Sequence, residues 1–316
     1  MALGVITSPP AAAQTSPATD VPRTAWGAPD LGGVWDYRTI TPLERPEEYG
    51  DRAFLTEEEV AELERAAENR ELAADEAPAR RAEAIKEGEN PLHVVGCCNR
   101  FWLDYGTQAQ ANRRTSLIID PPNGRLPAKT PEGEQRPRNS GSFGTHAFEQ
   151  IEDFSASDRC MGTHGVPIRA IPYNNNVQLF QTEDHLVMLV EMMSTTRFIP
   201  IDDRPFGALR QRRGESRGHW EGDTLVVETR NFLESPSDGN ASRDAILVER
   251  FRRISPEILE YEYTMNDPAT WTAPWTALQT LRKNPNGIFE YACHEGNYSL
   301  TNMLRGARLE EAAGGR

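Results

Sequence analysis

The densest chemistry in this sequence lies in Cys293-His294-Glu295-Gly296-Asn297-Tyr298. A histidine titrates near neutrality and a neighbouring carboxylate can orient it or share its proton, so His294 and Glu295 form a candidate acid/base pair. The same two residues can equally satisfy loop backbone groups. A second polar cluster runs from Asp158-Arg159-Cys160 through His164 to Tyr173-Asn174-Asn175-Asn176. Tyr173 is the candidate donor to a developing oxyanion, and His164 and Asn175 are candidate ligand contacts. Three successive asparagines also suit a turn, because Asn tolerates left-handed backbone. Arg197 shares a strand face with Ile199 and Ile201, where a guanidinium needs a partner such as Glu191 or an anionic group of a ligand. Glu191 lies on the side of Val187, Leu189 and Met193, and a carboxylate on an apolar face is costly unless paired or functional. Trp102, with Phe101 and Tyr105, and Trp220, Trp271 and Trp275 can line an apolar pocket or pack a core.

Cofactor and metal motifs are missing. The six histidines are scattered, with no H-x-H and no H-E-x-x-H, so no metal site is expected, although ligands from separate strands would support a metal-assisted hydrolase. No G-x-G-x-x-G follows a strand, no phosphate-binding G-x-x-x-x-G-K-[ST] occurs, and no G-x-S-x-G nucleophile elbow is present. No cofactor is therefore expected.

The elements that position these groups are mainly β. Gly32 to Tyr37 reads as a short strand, and Thr115 to Asp120 as another, closed by Pro121-Pro122-Asn123-Gly124. Four hairpins follow. They pair Val177–Gln181 with His185–Met193, Arg217–Trp220 with Thr224–Thr229, Ile246–Ile254 with Ile258–Met265, and Thr276–Arg282 with Ile288–His294. Such a meander must close or stack to protect its edges, and the expected fold is an antiparallel up-and-down barrel of the calycin or lipocalin type with an N-terminal helical extension. In the last strand Phe289, Tyr291 and Cys293 share a side, and one more residue would turn Glu295 inward with them. Thr56 followed by Glu59 is a capping box opening a helix to about Asn69, and a second helix is expected over Pro78 to Glu87. The polar stretch Lys129 to Gly144 is long for a loop and could cover a mouth.

The chain of 316 residues has a net charge of −14. This argues against nucleic-acid binding, which draws on clustered Lys and Arg. Thr56 to Glu89 holds 12 acids and 5 bases, half of the excess. No apolar run approaches the roughly 20 residues of a membrane span. Residues 1–25 are expected to be a flexible tail or remnant export signal, 26–93 an extension with two surface helices, 94–309 the barrel, and 310–316 a tail. The four cysteines fit disulfides in an exported protein. Cys160 with Cys293 is the preferred long-range pair, adjacent Cys97 and Cys98 would bond each other only with strain, and buried free thiols are the alternative.

The strings RTSLIIDPPNGRLP (114–127), PYNNNVQ (172–178), SRGHWEGDTLVVETRNF (216–232) and EYACHEGNY (290–298) resemble an uncharacterised family of predicted exported bacterial proteins, over most of the chain after Asp30. That resemblance implies a periplasmic or secreted location and carries no activity. From the residues, the expected function is cofactor-independent proton transfer, as in a lyase, isomerase or hydratase, on a hydrophobic small molecule held by the barrel. A non-catalytic periplasmic carrier is the alternative. The oligomeric state is left open.

Overall fold

A computed structural model describes residues 21–76, 104, 106–135, 150–154, 158–161, 166–233 and 241–314. Ten strands form one sheet: β1 (Gly33–Asp36), β2 (Ile118–Asp120), β3 (Asn176–Gln181), β4 (His185–Val190), β5 (Thr195–Pro200), β6 (Glu215–Glu221), β7 (Thr224–Arg230), β8 (Ile246–Arg253), β9 (Ile258–Asn266) and β10 (Trp275–Lys283). Nine of them run in the order β5-β4-β3-β1-β10-β9-β8-β7-β6, all neighbours antiparallel, and β2 pairs with part of β10. A parallel bridge between Ile201 and Gly218 brings the two ends together. The result is a nearly closed nine-stranded barrel with few helices, the lipocalin-like architecture expected from the hairpin series.

Three expected hairpins form where their turn residues stand. In the first, the Thr182 hydroxyl donates to Asp184 and accepts from the His185 N–H, so Thr182-Glu183-Asp184 is tied across its own turn. The fourth hairpin is a correction. Residues 284–298 contain no strand, because β10 already pairs with β9 on one edge and with β1 and β2 on the other. The alternating apolar pattern of Ile288 to His294 therefore has no place beside β10, its expected hairpin partner. β1 lies ahead of residue 94, where the barrel was expected to begin, yet it is a stave between β3 and β10. Its Trp35 is fully buried and donates its indole N–H to the Leu31 carbonyl at 2.9 Å.

The barrel interior is filled with side chains. Trp35, Leu179, Met188, Ile199, Val227, Phe251, Tyr261, Tyr263 and Leu281 belong to one contiguous buried cluster, packed as protein cores are. Among the described residues three α-helices lie outside the staves: α1 (Glu57–Asp75), α2 (Pro131–Gln135) and α3 (Ser299–Ala312). The expected capping box of α1 is present, with the Thr56 N–H donating to Glu59 Oε2 at 2.8 Å and the Glu59 N–H to Thr56 Oγ1 at 3.2 Å. No helix among the described residues is long and apolar enough to cross a membrane. The second expected helix, Cys97, Cys98, Phe101, Trp102, Tyr105, His146, His164 and the segment after Gln135 lie outside the described residues.

Candidate functional site

Strand alternation sets the walls of the candidate site. On β3, Val177 and Leu179 face the core, so Asn176 faces outward; on β1, Trp35 faces the core, so Asp36 faces outward beside it. The chain leaving β10 crosses this outer wall. Asn284 donates its backbone N–H to the Val34 carbonyl and its side-chain amide to Asn176 Oδ1 at 2.9 Å. From there residues 287–297 run as a strap without regular structure. Between strap and wall lies a cleft of about 970 Å³, at the upper end of the range for small-molecule pockets.

Three contacts seat the strap. The Phe289 N–H donates to Glu191 Oε1 at 3.1 Å, the Tyr291 ring lies parallel to that of Tyr173 with centroids 6.5 Å apart, and Cys293 is bonded to Cys160. The last is the preferred pair of the sequence, and it ties the strap to a loop 133 residues away. Asn297 adds a bond from its amide to the Asp158 carbonyl.

Glu191 is 3% exposed. Its partners are the Phe289 N–H and the Asn176 side-chain amide, at 2.7 Å to Oε2. Both are neutral donors. The alternation that placed Glu191 beside Val187 and Leu189 is corrected, because Leu186, Met188 and Val190 are the inward residues of β4 and the strand ends before Glu191, whose backbone is helical. Burial, with the charges of Glu191 and Asp36, pushes the Tyr37 hydroxyl above its ordinary range, so Tyr37 stays a neutral donor to the Asn174 carbonyl. Partial burial, together with the Tyr173 side chain and its hydrogen bond, pushes Tyr291 up to about 12. Arg38 is clasped by Asp36 and Asp104, each at 2.6 Å, and Asp36 first, then Asp104, hold it above its usual range.

The structure gathers some sequence candidates and separates others. Tyr173, Glu191 and Glu295 all line the cleft. His294 is exposed on the strap next to Glu295, which is also exposed rather than turned in with the aromatic residues. Asn175 is fully buried and pins a loop: its Oδ1 accepts from the Ile171 N–H, and its amide donates to the Ile171 and Asp104 carbonyls. Arg197 is inside the barrel. Its expected partner Glu191 is replaced by Glu249, which faces inward from β8 and receives both guanidinium nitrogens, Nη1 at 3.0 Å and Nη2 on the other oxygen. Ser216, Thr229 and Tyr261 complete that network, the Tyr261 hydroxyl donating to Glu249 at 2.7 Å.

Residues not singled out as site candidates also line the cleft, notably Asn176, Tyr291, Arg38 and Asp104. One signal pointed to them. If Cys160 bonds Cys293, the segments PYNNNVQ and EYACHEGNY are drawn together, and Tyr173 and Tyr291 with them. Among the described residues, no group of three or more His, Cys, Asp or Glu is arranged to hold a metal ion. Comparison with protein-family models, curated proteins and solved structures returns no match. Fold and site therefore define the class: a β-barrel capable of binding a small molecule, with a cleft of about 970 Å³ on the outer wall.

Proposed function

We propose that the protein is a cofactor-independent enzyme acting by proton transfer on a small molecule held in the outer-wall cleft, a lyase, isomerase or hydratase in type. The observation that carries this reading is convergence. A hydrogen-bonded tyrosine pair and a buried carboxylate without a cationic partner among the described residues line the same space. Tyr173 is placed to donate a hydrogen bond to an oxyanion as it forms, with Tyr291, which keeps its proton to high pH, stacked behind it. Glu191 is the proton acceptor, a buried carboxylate positioned by the Asn176 amide and the Phe289 N–H. Glu295 stands at the outer wall, where it and His294 can pass protons to solvent. The rings of Tyr173, Tyr291 and Phe289 supply the apolar surface for the substrate body. An exported location is part of the proposal, and the long-range disulfide supports it, since such bonds persist in oxidising compartments.

The test starts with native mass spectrometry of the purified protein, to recover a retained small molecule. That molecule is then incubated with protein in deuterated water. An enzyme of this type converts it or places deuterium on carbon, and Tyr173→Phe and Glu191→Gln each slow this at least tenfold without loss of fold. Recovery of the molecule unchanged and unlabelled would instead make the protein a carrier.

A further inference from the structure

The cleft has a charge imbalance that names its ligand. Arg38 is the one cationic residue among the described residues lining it, and Asp36 and Asp104 already engage that guanidinium. Against it stand the carboxylates of Asp104, Asp158, Glu191, Glu290 and Glu295. Glu191 matters most, being buried at the base of the strap with two neutral donors and no ion pair among the described residues. An ionised carboxylate offers about four acceptor positions, so two hydrogen bonds leave capacity for another donor. A buried carboxylate is stabilised chiefly by an opposite charge. Beside it, the parallel rings of Tyr173 and Tyr291 present aromatic faces, whose negative quadrupole attracts cations. A carboxylate and tyrosine faces in a cleft of this size form a receptor for an organic ammonium group.

We propose that the outer-wall cleft takes a small organic cation, with its ammonium head at Glu191 and its apolar body against Tyr173 and Tyr291. This inference rests on the reading of the cleft as the substrate site and adds the charge class of the substrate. A neutral ligand would leave the Glu191 charge uncompensated. An anion would meet repulsion from the carboxylates of both walls, and Arg38 has no unshared charge to offset it.

Three probes sharing one aromatic ring and differing in charge decide the matter: benzyltrimethylammonium, benzyl alcohol and benzoate, titrated calorimetrically into the full-length protein. Benzyltrimethylammonium is expected to bind at least tenfold more tightly than benzyl alcohol and to weaken as salt is raised, with benzoate not binding. Glu191→Gln is expected to lower ammonium affinity at least tenfold and leave the alcohol unaffected. The three-probe comparison on the unaltered protein needs no variant to fold. Equal or tighter binding of the alcohol or benzoate would overturn the inference, as would ammonium binding indifferent to salt and to Glu191→Gln. If the alcohol or benzoate binds and slows amide hydrogen exchange over residues 287–297, the cleft remains the ligand site and only its charge preference falls. If no probe binds, both the cation inference and the reading of the cleft are overturned.

Discussion

Two buried glutamates in this protein have opposite surroundings. Glu249, inside the barrel, faces Arg197 through both guanidinium nitrogens and also accepts from Tyr261, while Ser216 and Thr229 take up the rest of the guanidinium. Glu191, on the outer wall, meets an asparagine amide and one backbone N–H. The first carboxylate is internally complete; the second is complete only up to its charge. A buried ion pair with its donors and acceptors used holds a core together, and a buried carboxylate without a countercharge among the described residues, beside an open cleft, is placed to meet something else. The inward Arg197 is therefore fully engaged within the core, and the proposed ligand site lies outside the staves.

Of the substitutions that separate the two glutamates, the largest effect is expected at Glu249. Glu249→Gln strands the Arg197 charge in the core and should cost about 3–5 kcal/mol in denaturant unfolding. Replacing Arg197 and Glu249 together by apolar residues of similar volume should recover much of that loss. Next comes the disulfide. Cys160→Ser with Cys293→Ser should cost about 2–5 kcal/mol and speed hydrogen exchange in residues 287–297 well before the barrel strands. Equal acceleration in β8 and β9 would mean that the strap is not a separate unit. Glu191→Gln removes a charge that has no ionic partner and should cost only about 1 kcal/mol; a loss equal to that of Glu249→Gln would erase the contrast between the two sites.

The smallest effect is a titration. Tyr291 is raised to about 12 by burial and by Tyr173, from an ordinary value near 10. Because its folded pKa lies above its unfolded one, its contribution to stability is complete below about pH 10 and is lost as the pH rises toward 12. Spectrophotometric titration of Tyr173→Phe should move one tyrosine part of the way down, since burial, the larger cause, remains.

These contrasts were only partly legible in the sequence. Hairpins carry local signals, such as Thr182-Glu183-Asp184 between alternating strands, and Thr56 with Glu59 marks a helix start within four residues. Those signals predicted the strands and α1 because the physics that sets them is local. The strand expected over 288–294 failed for a non-local reason, since its pattern is sound but both edges of β10 are occupied by β9 and by β1 with β2. The partner of Arg197 was hidden in the same way. Glu249 lies 52 residues further on, and alternation places each residue inward without saying which inward residues meet across a barrel. Alternation also misplaced Glu191, because β4 ends at Val190 and the period of two stops there. The Cys160–Cys293 bond ties the strap to the loop that precedes Tyr173, and only a preferred pairing of cysteines, not a strand or helix signal, hinted that Tyr173 and Tyr291 share one place.

The most direct test of an outer-wall site over an interior one is amide hydrogen exchange on the full-length protein, with and without the small molecule it retains or, failing that, benzyltrimethylammonium. Slowed exchange is expected over residues 287–297 and 172–176, with β8 and β9 unchanged. Protection confined to β8 and β9, around Glu249 and Tyr261, would place the ligand inside the barrel and contradict the assignment.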